Sequence, residues 1–441
     1  MSALRLLSRT KLYWGLITIF MIGVVTSPVS SKGNNIFLSY GNLLDVLRQV
    51  STTGLIATGM TAVIIAGGID LSVGSLMAIA SVVCAMLLTV PGYTPAAIMG
   101  IPTAAVLVLL LGFFVTRFVL VNLKKLSQPE MAKHDAPVDP WRGKIVPALV
   151  GIFFCALLLW FLLPQVQAKF GVLGVLIVAP VVGLLFGTIN GAIIVAGRLQ
   201  PFIVTLAMMV TALGVARLTA GQNNAVLPVY TGTNAVAEFD MLRSLVFGVV
   251  PMPGLFFIAA IAIYGAVLRF TPFGRYVYAI GGNEDAARLS GIPVGRVKIA
   301  TYAVSGLLAG VAAVLYVAQY RQGKPDAGAG LELDAIAAVV IGGTSLMGGR
   351  GSLSGTFCGV LIFGLLSNIL QLHNINSNLQ LVLKGLIIVG TVLVQERSVA
   401  ELFAYLRPAA LKPADKGTSA TRRPSGETLS RNIGGNANET P

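Results

Sequence analysis

Read for hydropathy alone, the chain is a series of apolar runs separated by short polar stretches. Runs of about 20 residues are long enough for a helix to cross a ~30 Å hydrocarbon core. They cover approximately 12–30, 42–66, 71–90, 96–120, 145–163, 171–196, 201–220, 245–269, 297–319, 333–349, 352–371 and 379–396. The run at 333–349 is so rich in glycine that it is not expected to cross as one helix. The pattern predicts an all-α fold: a polytopic transmembrane helix bundle of about 10–12 spans, with broken or re-entrant helices among them. Arg5, Arg9 and Lys11 ahead of the first run give it the outline of a signal peptide. Its apolar core is long and no clear A-x-A site follows, so it reads as a retained first span.

Composition agrees. Of 441 residues, 55% are hydrophobic and 11% charged, against roughly 25% charged in an ordinary soluble domain. The formal charge of +14 reports membrane topology rather than nucleic-acid binding, because Lys and Arg collect on the cytoplasmic side of spans. With the N-terminus inside, the cytoplasmic segments hold 23 of the 31 basic residues. Both termini are therefore expected in the cytoplasm. The transmembrane domain is expected over 1–411, interrupted by a cytoplasmic loop at 121–144 and another at 270–296. From 412 to 441 the tail carries too few apolar residues to fold. Cys84, Cys155 and Cys358 lie far apart inside apolar runs and read as core residues, and His134 and His373 have no ligand partner at useful spacing. No metal site is expected.

The sequence offers no catalytic constellation. Gly-Lys occurs at 143–144 and 323–324, but neither pair is followed by Ser or Thr, so there is no phosphate-cradling loop. Three polar features remain. In "AGGIDLSVGSLMAIASVV" (66–83), Gly67 and Gly68 break one helix and Asp70 or Ser72 begins the next. These two residues are either caps or solute contacts. In "LELDAIAAVVIGGTSLMGGRGSLSGT" (331–356), Asp334 reads as a cap, and Gly342, Gly343, Gly348 and Gly349 forbid an uninterrupted helix. "AVIIAGG" (62–68) and "AVVIGG" (338–343) hint at two related halves.

The third feature is "GGNEDAARLSGIPVGR" (281–296). Asn283 is an N-cap, Glu284 and Asp285 fill the first turn, Arg288 the last, and Gly291 occupies C′ ahead of Pro293. Ala286, Leu289 and Pro293 share a face. A helix this short is not stable alone in water. It lies on lipid, on its own bundle, or against a partner.

The chain resembles the permease subunits of bacterial ABC importers, of the ribose, xylose, arabinose and galactoside branch. The resembling residues are "GGIDLSVGS" (67–75), "QPFIVTLAMM" (200–209), "FGRYVYAIGGNEDAARLSGI" (273–292) and "ELDAIAAVVIGGTSLMGGRG" (332–351). The likeness covers roughly 40–90 and 171–396. It implies that Asp285-Ala286-Ala287-Arg288-Leu289-Ser290-Gly291 is the segment that docks on the ATPase, with Asp in place of the usual Glu. It further implies a cytoplasmic ATPase subunit with tandem nucleotide-binding domains, a periplasmic sugar-binding protein, and a second permease subunit, expected to be a second copy of this chain. ATP then belongs to the partner, and this subunit holds no cofactor. Residues 96–170 depart from the family by an apparent extra hairpin.

Within spans, Asn190, Asn368 and Gln371 are candidates to line a path, since carboxamides hydrogen-bond sugar hydroxyls. Bonding between helices is the competing role for each. Nucleosides and furanone signals are alternative cargoes for this transporter type. An ion-coupled secondary transporter is the competing class, and it would require coupling carboxylates inside the spans.

Overall fold

The computed structural model describes residues 3–89, 171–221 and 225–396. The expected hairpin with its 121–144 loop, and the 412–441 tail, lie outside these residues. The chain divides at Gln395, and the fold below is that of the first unit.

Twelve helices account for nearly all regular structure among the described residues. They are α1 (Ala3–Thr26), α2 (Tyr40–Ile65), α3 (Val73–Thr89), α4 (Val172–Gly197), α5 (Pro201–Ala220), α6 (Met252–Phe270), α7 (Pro272–Gly282), α8 (Glu284–Leu289), α9 (Val294–Tyr320), α10 (Leu331–Ile341), α11 (Leu353–Leu372) and α12 (Ser377–Glu396). Strands are two residues long: Leu227–Pro228 pairs with Gln322–Gly323, and Leu245–Val246 with Val250–Pro251, all antiparallel. Among the described residues, α4, α5, α6, α9 and α11 are long and apolar enough to cross a membrane. Shorter apolar helical stretches occur at Tyr13–Thr26, Val73–Thr89 and Ser377–Leu393.

The bundle is built around α2, α3 and α9. Lipid supplies no hydrophobic drive between helices, so close backbone packing has to hold them together. On α4, Gly183, Gly187 and Gly191 recur every fourth residue and face Gly306, Tyr302 and Ile299 of α9. A methyl group at Gly306 would strike the Gly183 carbonyl, and one at Gly310 would lie 2.5 Å from the Pro180 Cα. Only glycine lets these two helices touch along their length. The same device seats Gly59 of α2 on the Ser305 backbone of α9.

The helix α10 stops short of a full span. At 1.5 Å per residue, the 11 residues of α10 reach about half a bilayer. The segment before it, 322–330, runs alongside α3: Ser81 Oγ donates to the Lys324 carbonyl at 3.0 Å, and Gly328 packs on the Gly74 backbone. Non-helical backbone at this depth persists because protein covers it. The expectation that 333–349 does not cross as one helix agrees with this geometry.

Asp334 is not the cap of α10. The helix begins three residues earlier, after Gly330 at φ 84°, so the aspartate lies within the first turn and its carboxylate is free to reach another helix.

Candidate functional site

The α2–α3 and α10–α11 junctions are built alike. Ala66, Gly67 and Gly68 donate to the carbonyls of Ala62, Ile64 and Val63 at 3.0, 2.9 and 2.9 Å. Gly342, Gly343 and Thr344 donate to those of Ala338, Val340 and Val339 at 2.9, 2.8 and 3.2 Å. Each set closes a helix by the Schellman pattern, with Gly67 and Gly343 in the left-handed region at φ 78° and 84°. The two stretches that match in sequence thus make the same turn in the same register.

After the first turn the chain enters the bundle core. Asp70 is fully buried. Its Oδ1 accepts from the backbone N–H of Ser72 at 3.1 Å and from the Ser72 hydroxyl at 2.6 Å, and its Oδ2 accepts from Ser305 Oγ of α9 at 3.0 Å. Asn190 of α4 donates to Ser72 Oγ at 2.8 Å, and Thr205 of α5 donates to the Ile69 carbonyl at 3.2 Å. The 66–72 loop is therefore tied to α4, α5 and α9 around one buried carboxylate. Asp70, Ser72 and Asn190, proposed separately from sequence, meet here. Ser305 and Thr205 were missed, because a lone Ser or Thr in an apolar helix carries no signal of its own.

The other carboxamides sit elsewhere. Asn368 of α11 exchanges hydrogen bonds with Asn42 of α2, at 2.7 and 3.1 Å. Gln371 is exposed near the end of α11.

At the end of the bundle where α2 stops, three pairs of glycines converge. Gly281 of α7 presses on the Ile65 carbonyl and on Gly349, and Gly348 lies against Gly67 and Gly281. The Gly349 N–H donates to the Ile65 carbonyl at 2.8 Å, and the Tyr278 hydroxyl donates to the Gly351 carbonyl at 2.9 Å. Both helix-breaking loops thus rest on α7, which leads directly into α8.

In α8, Asn283 Oδ1 accepts from the Ala286 N–H at 2.9 Å. Gly291 at φ 81° closes the helix, donating to Arg288, while Ile292 donates to Ala287. Glu284 accepts from Arg288 at 3.1 Å and from Lys298 of α9 at 2.5 Å. Partial burial pushes the Glu284 carboxyl up, but the two cations outweigh it and hold the group below its ordinary range. Ala287 is the residue packed inward, while Asp285, Ala286 and Arg288 are exposed and Leu289 is 90% exposed. The apolar face anticipated at Ala286 and Leu289 is thus turned away from the bundle, because Ala287 fills the one inward position.

The family model described as "Branched-chain amino acid transport system / permease component" matches residues 145–392. The chain belongs to this family of transport permeases. The permease is 35% identical to the ribose import permease protein RbsC of Bacillus subtilis over 382 residues, 87% of this chain and 92% of the relative. It is 31% identical to the xylose transport system permease protein XylH of Haemophilus influenzae, over 84% of this chain and 92% of the relative. The L-arabinose transport system permease protein AraH of Escherichia coli is 37% identical over 46% of this chain and 60% of its own length. No solved structure matches the permease. With its family and its apolar helices, it is a multi-pass inner-membrane protein. Its relatives are transport permeases rather than enzymes.

Proposed function

We propose that this chain is the membrane subunit of an ABC importer and forms the path for a monosaccharide. The observation that carries the reading is the likeness to a ribose import permease along 87% of the chain. A periplasmic binding protein delivers the sugar to one face. An ATPase with tandem nucleotide-binding domains docks on the other, and a second copy of the permease completes the path. The Lys and Arg distribution supports cytoplasmic termini, which places α7, α8 and the glycine junction on the ATPase side.

In this reading the residues from Asn283 to Gly291 form the coupling element. Its inward residue, Ala287, and the Glu284–Lys298 ion pair at 2.5 Å fix the helix to the bundle, and Leu289 and Ala286 offer an apolar face to the ATPase. Movement of α8 passes through α7 to Gly281 and from there to both broken-helix loops. The Asp70 cluster holds the start of α3 to α4 and α9, so that a pull on the 66–72 loop shifts these helices together. The ATPase and the loaded binding protein act by favouring different conformations of the permease.

The test is reconstitution with its partner ATPase and binding protein, followed by uptake of labelled ribose, xylose and arabinose. Uptake of one of these that stops when the partner ATPase is inactivated supports the reading. Uptake that persists without the ATPase and collapses with an uncoupler favours an ion-coupled carrier instead.

A further inference from the structure

The two matching turns, at 66–68 and 342–344, close alike but turn the side chains that follow them opposite ways. After the first, Asp70 points into the bundle and is fully buried. In 66–72 only Gly67 is exposed. After the second, Leu346 packs against the core, whereas Met347 is 77% exposed and Arg350 is exposed as well.

The outward loop is held from within. The Ser345 N–H donates to the Arg350 carbonyl at 3.0 Å, and the Gly348 N–H to the Ser345 carbonyl at 3.1 Å. Ser345 Oγ accepts from the Met347 N–H at 3.2 Å. Gly348 and Gly349 sit in the left-handed region, at φ 85° and 71°. A segment already ordered by its own backbone loses little entropy when a partner covers it.

Its position sets it apart from lipid. Ile64 and Ile65, which end α2, are fully buried, so this end of α2 lies inside the bundle and not on its rim. The loop stands on that end through the Gly349–Ile65 hydrogen bond. A long apolar side chain on the rim meets acyl chains and needs no further account. Met347 stands over the middle of an end face, where it meets water or another protein.

The same surface carries α8. A methyl group at Gly349 would lie 3.0 Å from the Gly282 Cα, and the next residue, Asn283, caps α8. Leu289 and Met347 give this face its two most exposed apolar side chains. Arg288 is held by Glu284, whereas the Arg350 guanidinium makes no ion pair among the described residues.

We propose that the 345–350 loop is a second docking point for the ATPase beside α8, with Met347 entering an apolar socket and Arg350 pairing with a carboxylate of the partner. The proposal rests on the reading of α8 as the coupling element and enlarges the surface involved. An unbranched thioether adapts to an irregular socket, and a guanidinium is weakly hydrated and suited to an interface ion pair. Because the loop directly follows the turn that closes α10, this contact gives the ATPase a hold on the half-length helix that does not pass through α7.

The test uses the assembled transporter with its ATPase and binding protein. A photo-reactive benzoylphenylalanine is placed at Met347 and, in a second preparation, at Ser290 of α8. Irradiation should cross-link both positions to the ATPase. A cross-link from Ser290 alone overturns the loop contact and leaves the coupling reading standing, and cross-links from neither position fail both. A cross-link from Met347 into the chain's own residues beyond 396 overturns the proposal in favour of an internal cover. In binding measurements, Met347→Glu and Arg350→Glu should each weaken ATPase association roughly tenfold, the size of an interface anchor, at unchanged membrane yield. Met347→Leu should bind as wild type. The Arg350→Glu defect should shrink as salt is raised, because screening weakens an exposed ion pair; a purely structural role for Arg350 would leave the defect independent of salt. Wild-type affinity in both charge variants overturns the proposal.

Discussion

Gly281 and Gly282 are neighbours in sequence and opposites in the structure, which makes them a test of how force leaves the coupling segment. A methyl group on Gly281 would overlap the Ile65 carbonyl oxygen and lie 2.5 Å from the Gly349 nitrogen, whereas nothing lies within 4 Å of one on Gly282. Neither obstacle at Gly281 is the end of a flexible side chain. Both are backbone, and they are the two ends of the 2.8 Å Gly349–Ile65 hydrogen bond. Gly281→Ala must therefore force the loops apart. Overpacking costs about 1–3 kcal/mol and the lost bond about 0.5–1.5 kcal/mol. At about 1.4 kcal/mol per tenfold, the sum, about 1.5–4.5 kcal/mol, shifts occupancy of the closed junction by roughly 10- to 1,500-fold. The α8 surface is untouched, so the ATPase should still co-purify and hydrolyse ATP while sugar uptake falls at least tenfold. Gly282→Ala should behave as wild type in both assays. Normal uptake in Gly281→Ala, or equal damage from Gly282→Ala, would refute transmission through this junction.

Three further outcomes are expected. Leu289→Glu places a charge on the exposed apolar face of α8 without touching the bundle; it should abolish co-purification of the ATPase at unchanged membrane yield, and retention of the ATPase would assign that face to lipid. Glu284 has a carboxyl held below its ordinary value of 4.5 by Lys298 and Arg288 against the effect of burial. Its ion pairs are thus fully formed above that ordinary value and are lost as pH falls through the depressed one. A thermal-unfolding series should show a loss between wild type and Glu284→Gln that is constant from pH 8 to 6 and shrinks only in acid below about pH 4.5. For orientation, Phe247→Cys on the hairpin tip, 98% exposed, should react with an impermeant maleimide added to intact cells, and Ser290→Cys should not; the reverse pattern would invert the topology.

Much of this molecule is written locally. Helix length follows from runs of apolar residues, and the ends follow from residues that act within a turn, as Asn283 and Gly291 do at α8. The likeness of 62–68 to 338–343 also shows in the sequence, because the same residues close the same turn with the same hydrogen bonds. The pattern Gly183–Gly187–Gly191 was equally available, as a four-residue repeat of small residues that lets a helix approach closely.

What the chain could not disclose is which distant residues meet. Asp334 looked like a cap because it precedes an apolar run, and only the fold sets Lys384 within 2.8 Å of it, 50 residues on. Ser305 is one serine among apolar neighbours until α9 packs against the 66–72 loop and turns its hydroxyl to Asp70. Which alanine of α8 faces inward was likewise decided by α7 and α9: in two turns of helix, Ala286 and Ala287 are equivalent in composition and differ only in what they are turned toward. Hydropathy and capping act over a few residues, and the sequence determines them by itself. Partnership across the bundle is fixed by helix rotation and depth, which depend on all the packed faces at once, and only the tertiary structure decides it.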